Sequence, residues 1–268
     1  MSQFKSGFAV GTGRCGTHFI AEVMNKEKYV ASSHERSALT DTFHRYCKWN
    51  ELPVDDAGFI HHKKTAIEKD LEKYQFSFEA SAFLSLSCKE LVEGLNSKVI
   101  LIVREPVNVI ESYLTKGRRV GQLEWYANPF VQEDKNKALG IQAHTEFHHF
   151  LGRLAPKGDE FEEWNELSRV GKLAWNWSNI NQRVLETFDL LPKENTMIAR
   201  IEDIDFEKYL SICDFMSVES SITKKQFEKI RKNKPAKQTS KINSAAWSEQ
   251  EKDECKQFLG KTPSVFGY

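Results

Sequence analysis

Apolar and polar positions fall into blocks along the chain. Residues 4–10 (FKSGFAV) form a short β-prone run that ends in glycines. Residues 17–25 (THFIAEVMN) then place Phe19, Ile20, Val23 and Met24 at helical spacing. This predicts a strand, a glycine-rich turn and a helix. Residues 29–33 read as a second strand ending at His34-Glu35, and 74–79 as a third, followed by a helix over 82–93. The run VILIV at 99–103 is apolar and β-branched throughout, which suits a strand buried on both faces of a parallel sheet. Pro106 sits at the expected start of a helix reaching about 114, where its fixed φ is tolerated. A fifth strand is expected at 197–201 and a closing helix at 248–259. Strands alternating with helices predict an α/β fold, a parallel sheet flanked by helices, within one domain over 1–268. A helical insert at 116–191 separates strands four and five, with helices near 137–154 and 160–188. Residues 232–246, rich in Lys, Ser and Asn, read as a mobile loop.

Composition narrows the function. The 268 residues are 40% hydrophobic, ample for a real core. Lys plus Arg (38) equals Asp plus Glu (38), so neither a nucleic-acid nor a membrane-surface partner is expected. No apolar stretch reaches the length of a membrane span, and residues 1–13 lack a secretory pattern. The five cysteines are scattered and form no C-x-x-C pair, which reads as reduced thiols in a cytoplasmic protein without a zinc site. Any anion site must be built from a local cluster of positive groups.

The first turn, Gly11-Thr12-Gly13-Arg14-Cys15-Gly16-Thr17-His18, is a natural phosphate cradle. Glycines let backbone N–H groups turn inward, and the following helix N-terminus favours anions. Gly11 and Gly16 have G-x-x-x-x-G spacing, but Thr17-His18 replaces the Lys-Ser or Lys-Thr of a nucleoside-triphosphate loop, and Arg14 is the cation instead. The fourth strand ends in Arg104-Glu105, where a metal-binding Asp often stands in nucleotidases. Neutralisation of phosphate by arginine rather than by Mg²⁺ is the better inference, with Ser112 on the next helix converging with Arg104. The bland alternatives are a tight turn for Gly11–Gly13, an ion pair of Arg104 with Glu105, and a solvated helix face for Ser112.

These residues resemble a family. GTGRCGTHF is similar to the 5′-phosphosulfate loop of sulfotransferases, and VILIVREPVNVIESYL to their 3′-phosphate motif. LAWNWSNINQRVLE (173–186), MIARIEDI (197–204) and the tail KINSAAWSEQE…FGY resemble the family's long helix, late strand and bacterial C-terminus. The resemblance implies a P-loop-like α/β fold. It implies metal-independent transfer of a sulfuryl group from 3′-phosphoadenosine 5′-phosphosulfate (PAPS) to a hydroxyl or amine. By position, Gly13, Arg14, Cys15, Gly16, Thr17 and His18 would hold the 5′-phosphate and sulfate. Arg104 and Ser112 would hold the 3′-phosphate, and the loop around Lys241 would fold over the nucleotide. Two positions depart from the usual pattern: Arg14 stands where many members have Lys, and Cys15 and His18 where Ser or Thr is common. Cys15 would then contribute mainly its backbone N–H.

Transfer needs a base within hydrogen-bond reach of the acceptor. Glu35 is preferred, with His34 next, because both follow the second strand on the edge where the loop opens. A Glu near this place is the base in several bacterial and carbohydrate-acting sulfotransferases. Arg36 could lower the pKa of Glu35, or merely pair with it. His61 and His62 are runners-up in a possible acceptor loop, and Glu79 and Ser81 could bind the acceptor or assist the base. His144, His148 and His149 share a helical face without the partners of a metal site. Trp125, Tyr126, Trp164, Trp175 and Trp177 read as core more than as an acceptor platform. Lys116-Gly117-Arg118-Arg119 suits a helix C-terminus. The cluster Lys224, Lys225, Lys229, Arg231, Lys232, Lys234, Lys237 and Lys241 offers a positive funnel. The acceptor class stays open among small molecules, carbohydrates and lipids. Two other functions fit the loop: a kinase-like phosphotransferase, disfavoured by the missing lysine and Asp, and a non-catalytic nucleotide sensor, which would need no base.

Overall fold

The fold starts from one central strand. In the computed structural model, which describes residues 4–120, 154–232 and 243–268 (116–120 for their backbone), Ser6–Val10 forms β1, buried along its whole length. Three strands follow it in sequence and space: β2 (Val30–His34), β3 (Phe76–Ala80) and β4 (Lys98–Val103). With β5 (Thr196–Arg200) they make a five-stranded sheet in the order β2-β3-β1-β4-β5. Every pairing is parallel, so all five carboxyl ends emerge on one edge.

The apolar run of β4 feeds both faces of the sheet. Val99, Leu101 and Val103 point into one core, Ile100 and Ile102 into the other, and all five are at most 1% exposed. Burying such a side chain stabilises the fold by about 2 kcal/mol. On one face pack α1 (Thr17–Met24), α7 (Phe206–Met216) and α8 (Lys224–Lys232). The other face carries residues from α2 (Ala38–Trp49), α3 (Asp56–Leu71), α4 (Pro106–Val120), α5 (Glu160–Glu166), α6 (Arg169–Leu190) and α9 (Glu249–Leu259). A last turn, α10 (Thr262–Val265), leads to the C-terminus. Trp164, Trp175 and Trp177 are core residues: Trp164 and Trp49 both meet Trp175 edge-on.

Two expected helices differ. The helix expected over 82–93 is a 3₁₀ turn at Ala82–Leu84 and a π turn at Glu90–Gly94. Serines cause the break, because their hydroxyls compete for backbone groups. Ser81 accepts the Phe83 N–H, and Ser85 accepts the Gly11 N–H. The helix expected over 160–188 is split between α5 and α6, where the Ser168 side chain caps α6 through the Gly171 N–H. The helix expected near 137–154, with His144, His148, His149, Trp125 and Tyr126, lies almost wholly outside the described residues. So do the side chains at 116–119, along with residues 233–242 of the expected loop.

Candidate active site

The glycine-rich segment links β1 to α1 through three constrained positions. Gly13 (φ 78), Arg14 (φ 56) and Gly16 (φ 111) all take left-handed backbone, which turns the loop back on itself. A Cβ on Gly13 would sit 2.3 Å from the Tyr113 hydroxyl. Tyr113, on α4, donates that hydroxyl to the Thr12 carbonyl at 2.9 Å. Burial pushes the phenol up to about 12, so it stays a donor. Neighbouring Ser85 donates to the Gly11 carbonyl at 2.6 Å. Cys15 is fully buried inside the turn. Burial pushes its thiol up, and hydrogen bonds from the backbone at Gly13 and Thr17 act the other way. It is therefore no nucleophile.

Arg14, Arg104 and Ser112 meet at this loop from three elements. Arg14 Nε donates to Ser112 Oγ at 3.0 Å, and Arg104 Nη1 donates to the Arg14 carbonyl at 3.1 Å. Both arginines are thus anchored at the carboxyl ends of β1 and β4, beside the N-terminus of α1. That combination of fork donors and a helix N-terminus suits an oxyanion. Glu105 does not pair with Arg104. Its carboxylate accepts the Val107 and Asn108 N–H groups and caps α4. Arg104 is held from behind, where Trp177 Nε1 donates to its carbonyl at 3.0 Å. Thr17 opens α1, and His18 on the same turn is exposed. Lys241 lies outside the described residues.

The base candidates lie at the carboxyl end of β2, which β3 separates from β1. His34 closes β2, and Glu35 follows it in left-handed backbone (φ 51). Non-glycine residues in this region carry a strain of about 1 kcal/mol. Three others among the described residues, Glu51, Asn96 and Ser217, follow helical segments as C-terminal caps do. Arg14 and Glu35 do not, and both stand at this edge. His34 Nε2 lies 3.2 Å from Thr17 Oγ1 and 3.9 Å from Glu35 Oε1, so the two candidates adjoin the first turn of α1. The His34 and His18 rings meet edge-on at 5.2 Å.

Arg36 is not the partner expected for Glu35. Its Nη2 donates to Asp70 at 2.6 Å and its Nε to Ser33 at 3.0 Å, so it anchors β2 to α3. His61 and His62 are on the exposed face of α3, not in a loop, with His62 Nε2 at 2.9 Å from Ser37 Oγ. Ser81 is buried and occupied by the 3₁₀ turn after β3. Glu79 neither caps a helix nor faces solvent. It is 3% exposed and bound by the Lys63 ammonium at 2.9 Å. The sequence reading missed Tyr113, Ser85, Lys63 and Asp41. Tyr113 follows Ser112 directly, the one signal that could have found it.

Comparison with known proteins agrees with this architecture. No curated protein matches the chain in sequence. Among solved structures, the sulfotransferase domain from the Synechococcus PCC 7002 olefin synthase superposes with a TM-score of 0.52 at 13% identity, over 100% of this chain and 96% of its own. A sulfotransferase from Alicyclobacillus acidocaldarius gives 0.51 at 11% identity, over 97% and 92%. Such identities speak for the fold. The sequence itself matches the sulfotransferase domain family over residues 6–261. With that match spanning nearly the whole chain and its loop, arginines and parallel sheet in place, the protein belongs to the sulfotransferase domain family and is a transferase enzyme.

Proposed function

We propose that the enzyme moves a sulfuryl group from PAPS to a hydroxyl or amine of a small molecule, carbohydrate or lipid, with Glu35 as base. The observation that carries this reading is the meeting of Arg14, Arg104 and Ser112 at the glycine-rich loop. In this reading the loop amides of residues 13–18 and the Arg14 guanidinium hold the 5′-phosphate and the sulfate. Arg104 and Ser112 hold the 3′-phosphate. The acceptor oxygen attacks sulfur in line with the leaving phosphate, and Glu35 takes the acceptor's proton as the S–O bond to phosphate breaks. Charge on the leaving oxygen is met by Arg14 and the loop amides, since fixed donors best stabilise a developing oxyanion. His34, between Thr17 and Glu35, orients the carboxylate.

Calorimetric titration with the spent nucleotide, 3′-phosphoadenosine 5′-phosphate, tests the donor. Binding in a chelating buffer is expected, and Glu35→Ala should leave it intact while abolishing transfer. Binding of ATP with none of this nucleotide would overturn the reading. Full activity in Glu35→Ala would move the base elsewhere.

A further inference from the structure

Behind Glu35 lies a charge network that the transfer reaction does not itself call for. Lys63 of α3 reaches Asp41 of α2 at 2.8 Å and both Glu79 oxygens of β3, at 2.9 and 3.1 Å. Lys63, Asp41 and Glu79 are 1%, 0% and 3% exposed. Burying an ammonium with two carboxyl groups is expensive, and well-packed apolar residues of similar volume often do as well or better for stability. The network therefore calls for a purpose other than cohesion.

Its contact with the turn after β2 supplies that purpose. Glu79 Oε1 accepts the Arg36 N–H at 3.2 Å. The preceding N–H, that of Glu35, donates to the Ala80 carbonyl at 3.0 Å. Two successive amides around the left-handed Glu35 are thus held by two successive residues of β3. The Arg36 side chain is tied down as well, by Ser33 and Asp70. A strained conformation persists only where its surroundings over-determine it. A carboxylate is a stronger acceptor for that N–H than a neutral oxygen, and Lys63 holds this one in place.

We propose that Glu79 is a positioning residue: its buried carboxylate, paired with Lys63, fixes the Arg36 N–H and so holds the turn that sets Glu35 beside the first turn of α1. Asp41 completes the pairing of Lys63 and does not touch the turn. The functional part of this inference rests on Glu35 being the base.

The test compares Glu79→Met, which removes the acceptor, with Glu79→Gln, which keeps an oxygen there. Neither strands Lys63, because Asp41 still pairs with it. Two readouts are taken on the full chain: exchange of the Arg36 amide, and release of labelled sulfate from PAPS to water. Glu79→Met should lose Arg36 protection and slow release by about 100-fold, the loss a misplaced group brings, with nucleotide affinity unchanged. Glu79→Gln should recover most of both. In a Glu35→Gln background, Glu79→Met should slow release no further, since a group acting through Glu35 has nothing left to position. Additive losses, or Arg36 protection unchanged in Glu79→Met, would overturn the proposal. Should Glu79→Met fail to fold, the unmodified protein decides: an Arg36 amide exchanging as fast as an exposed loop amide overturns it. Wild-type release by Glu35→Gln alone would instead strike the reading of Glu35 as base, whatever Arg36 does.

Discussion

The two halves of the site are made of different materials. The loop side, at β1, β4, α1 and α4, is shaped by backbone: left-handed glycines, and a tyrosine seated against Gly13. The Glu35 side, at β2, β3, α2 and α3, is shaped by buried polar pairs: Lys63 between two carboxyl groups, and Arg36 tied to Asp70. Backbone geometry does not titrate, but it tolerates almost no added atoms. A charge network tolerates conservative swaps but answers to pH. Each half should therefore fail under a perturbation that the other resists.

The largest effect is expected at Gly13. Alanine there would bring a Cβ to 2.3 Å from the Tyr113 hydroxyl, at a φ of 78. Strain and overpacking together should destabilise the protein by about 3 kcal/mol in denaturant unfolding. Nucleotide binding should be lost with it, and the loss should be the same at every pH. A pH-dependent loss would mean that charge, too, shapes this half.

Asp41 probes the other half. Burial pushes its carboxyl up to about 7, opposed by Lys63 and assisted by Glu79. An unfolded aspartate titrates near 4, so between about pH 4 and 7 the native chain holds a proton that the unfolded chain has released. Stability from this group is present below that window and is lost as pH rises through it. Asp41→Asn should remove this slope from the unfolding free energy, leaving the variant less pH-sensitive than the wild type and its nucleotide affinity unchanged. An identical slope in both proteins would break the contrast between the halves.

Tyr113→Phe should have the smallest effect. It deletes one hydrogen bond to the Thr12 carbonyl, worth about 1 kcal/mol, without changing the packing against Gly13. A larger loss in nucleotide affinity than in stability would sharpen the picture, by making the hydroxyl part of the anion site.

The same difference decided what could be read from sequence. Strand runs such as 99–103 and the turn at Gly11–Gly16 carry patterns of composition and spacing, and the five strands lie close to where they were expected. The helices α2 and α3 went unread for a physical reason. The residues α2 buries are Asp41, Thr42, His44, Arg45, Cys47 and Trp49, while Leu39 and Phe43 on the same helix are exposed. Among the buried residues of α3 are Phe59 and Lys63. A helix that buries polar groups has no apolar stripe to find. Candidate residues were legible where they adjoin a motif, as Arg14, Arg104 and Ser112 do. Their partners depend on pairing across distant elements: Lys63 lies 16 positions from Glu79, and Tyr113 lies 101 from Thr12.

Five buried thiols make this enzyme a reporter of its own opening. Cys15 lies within the glycine-rich turn, and a Cβ on Gly11 would lie 2.5 Å from its sulfur. With no exposed surface of its own, it can meet an alkylating reagent only when that turn opens. Its labelling rate therefore clocks the loop's excursions, against four thiols elsewhere in the same chain. A ligand that seats in the cradle should slow that clock at Cys15 alone.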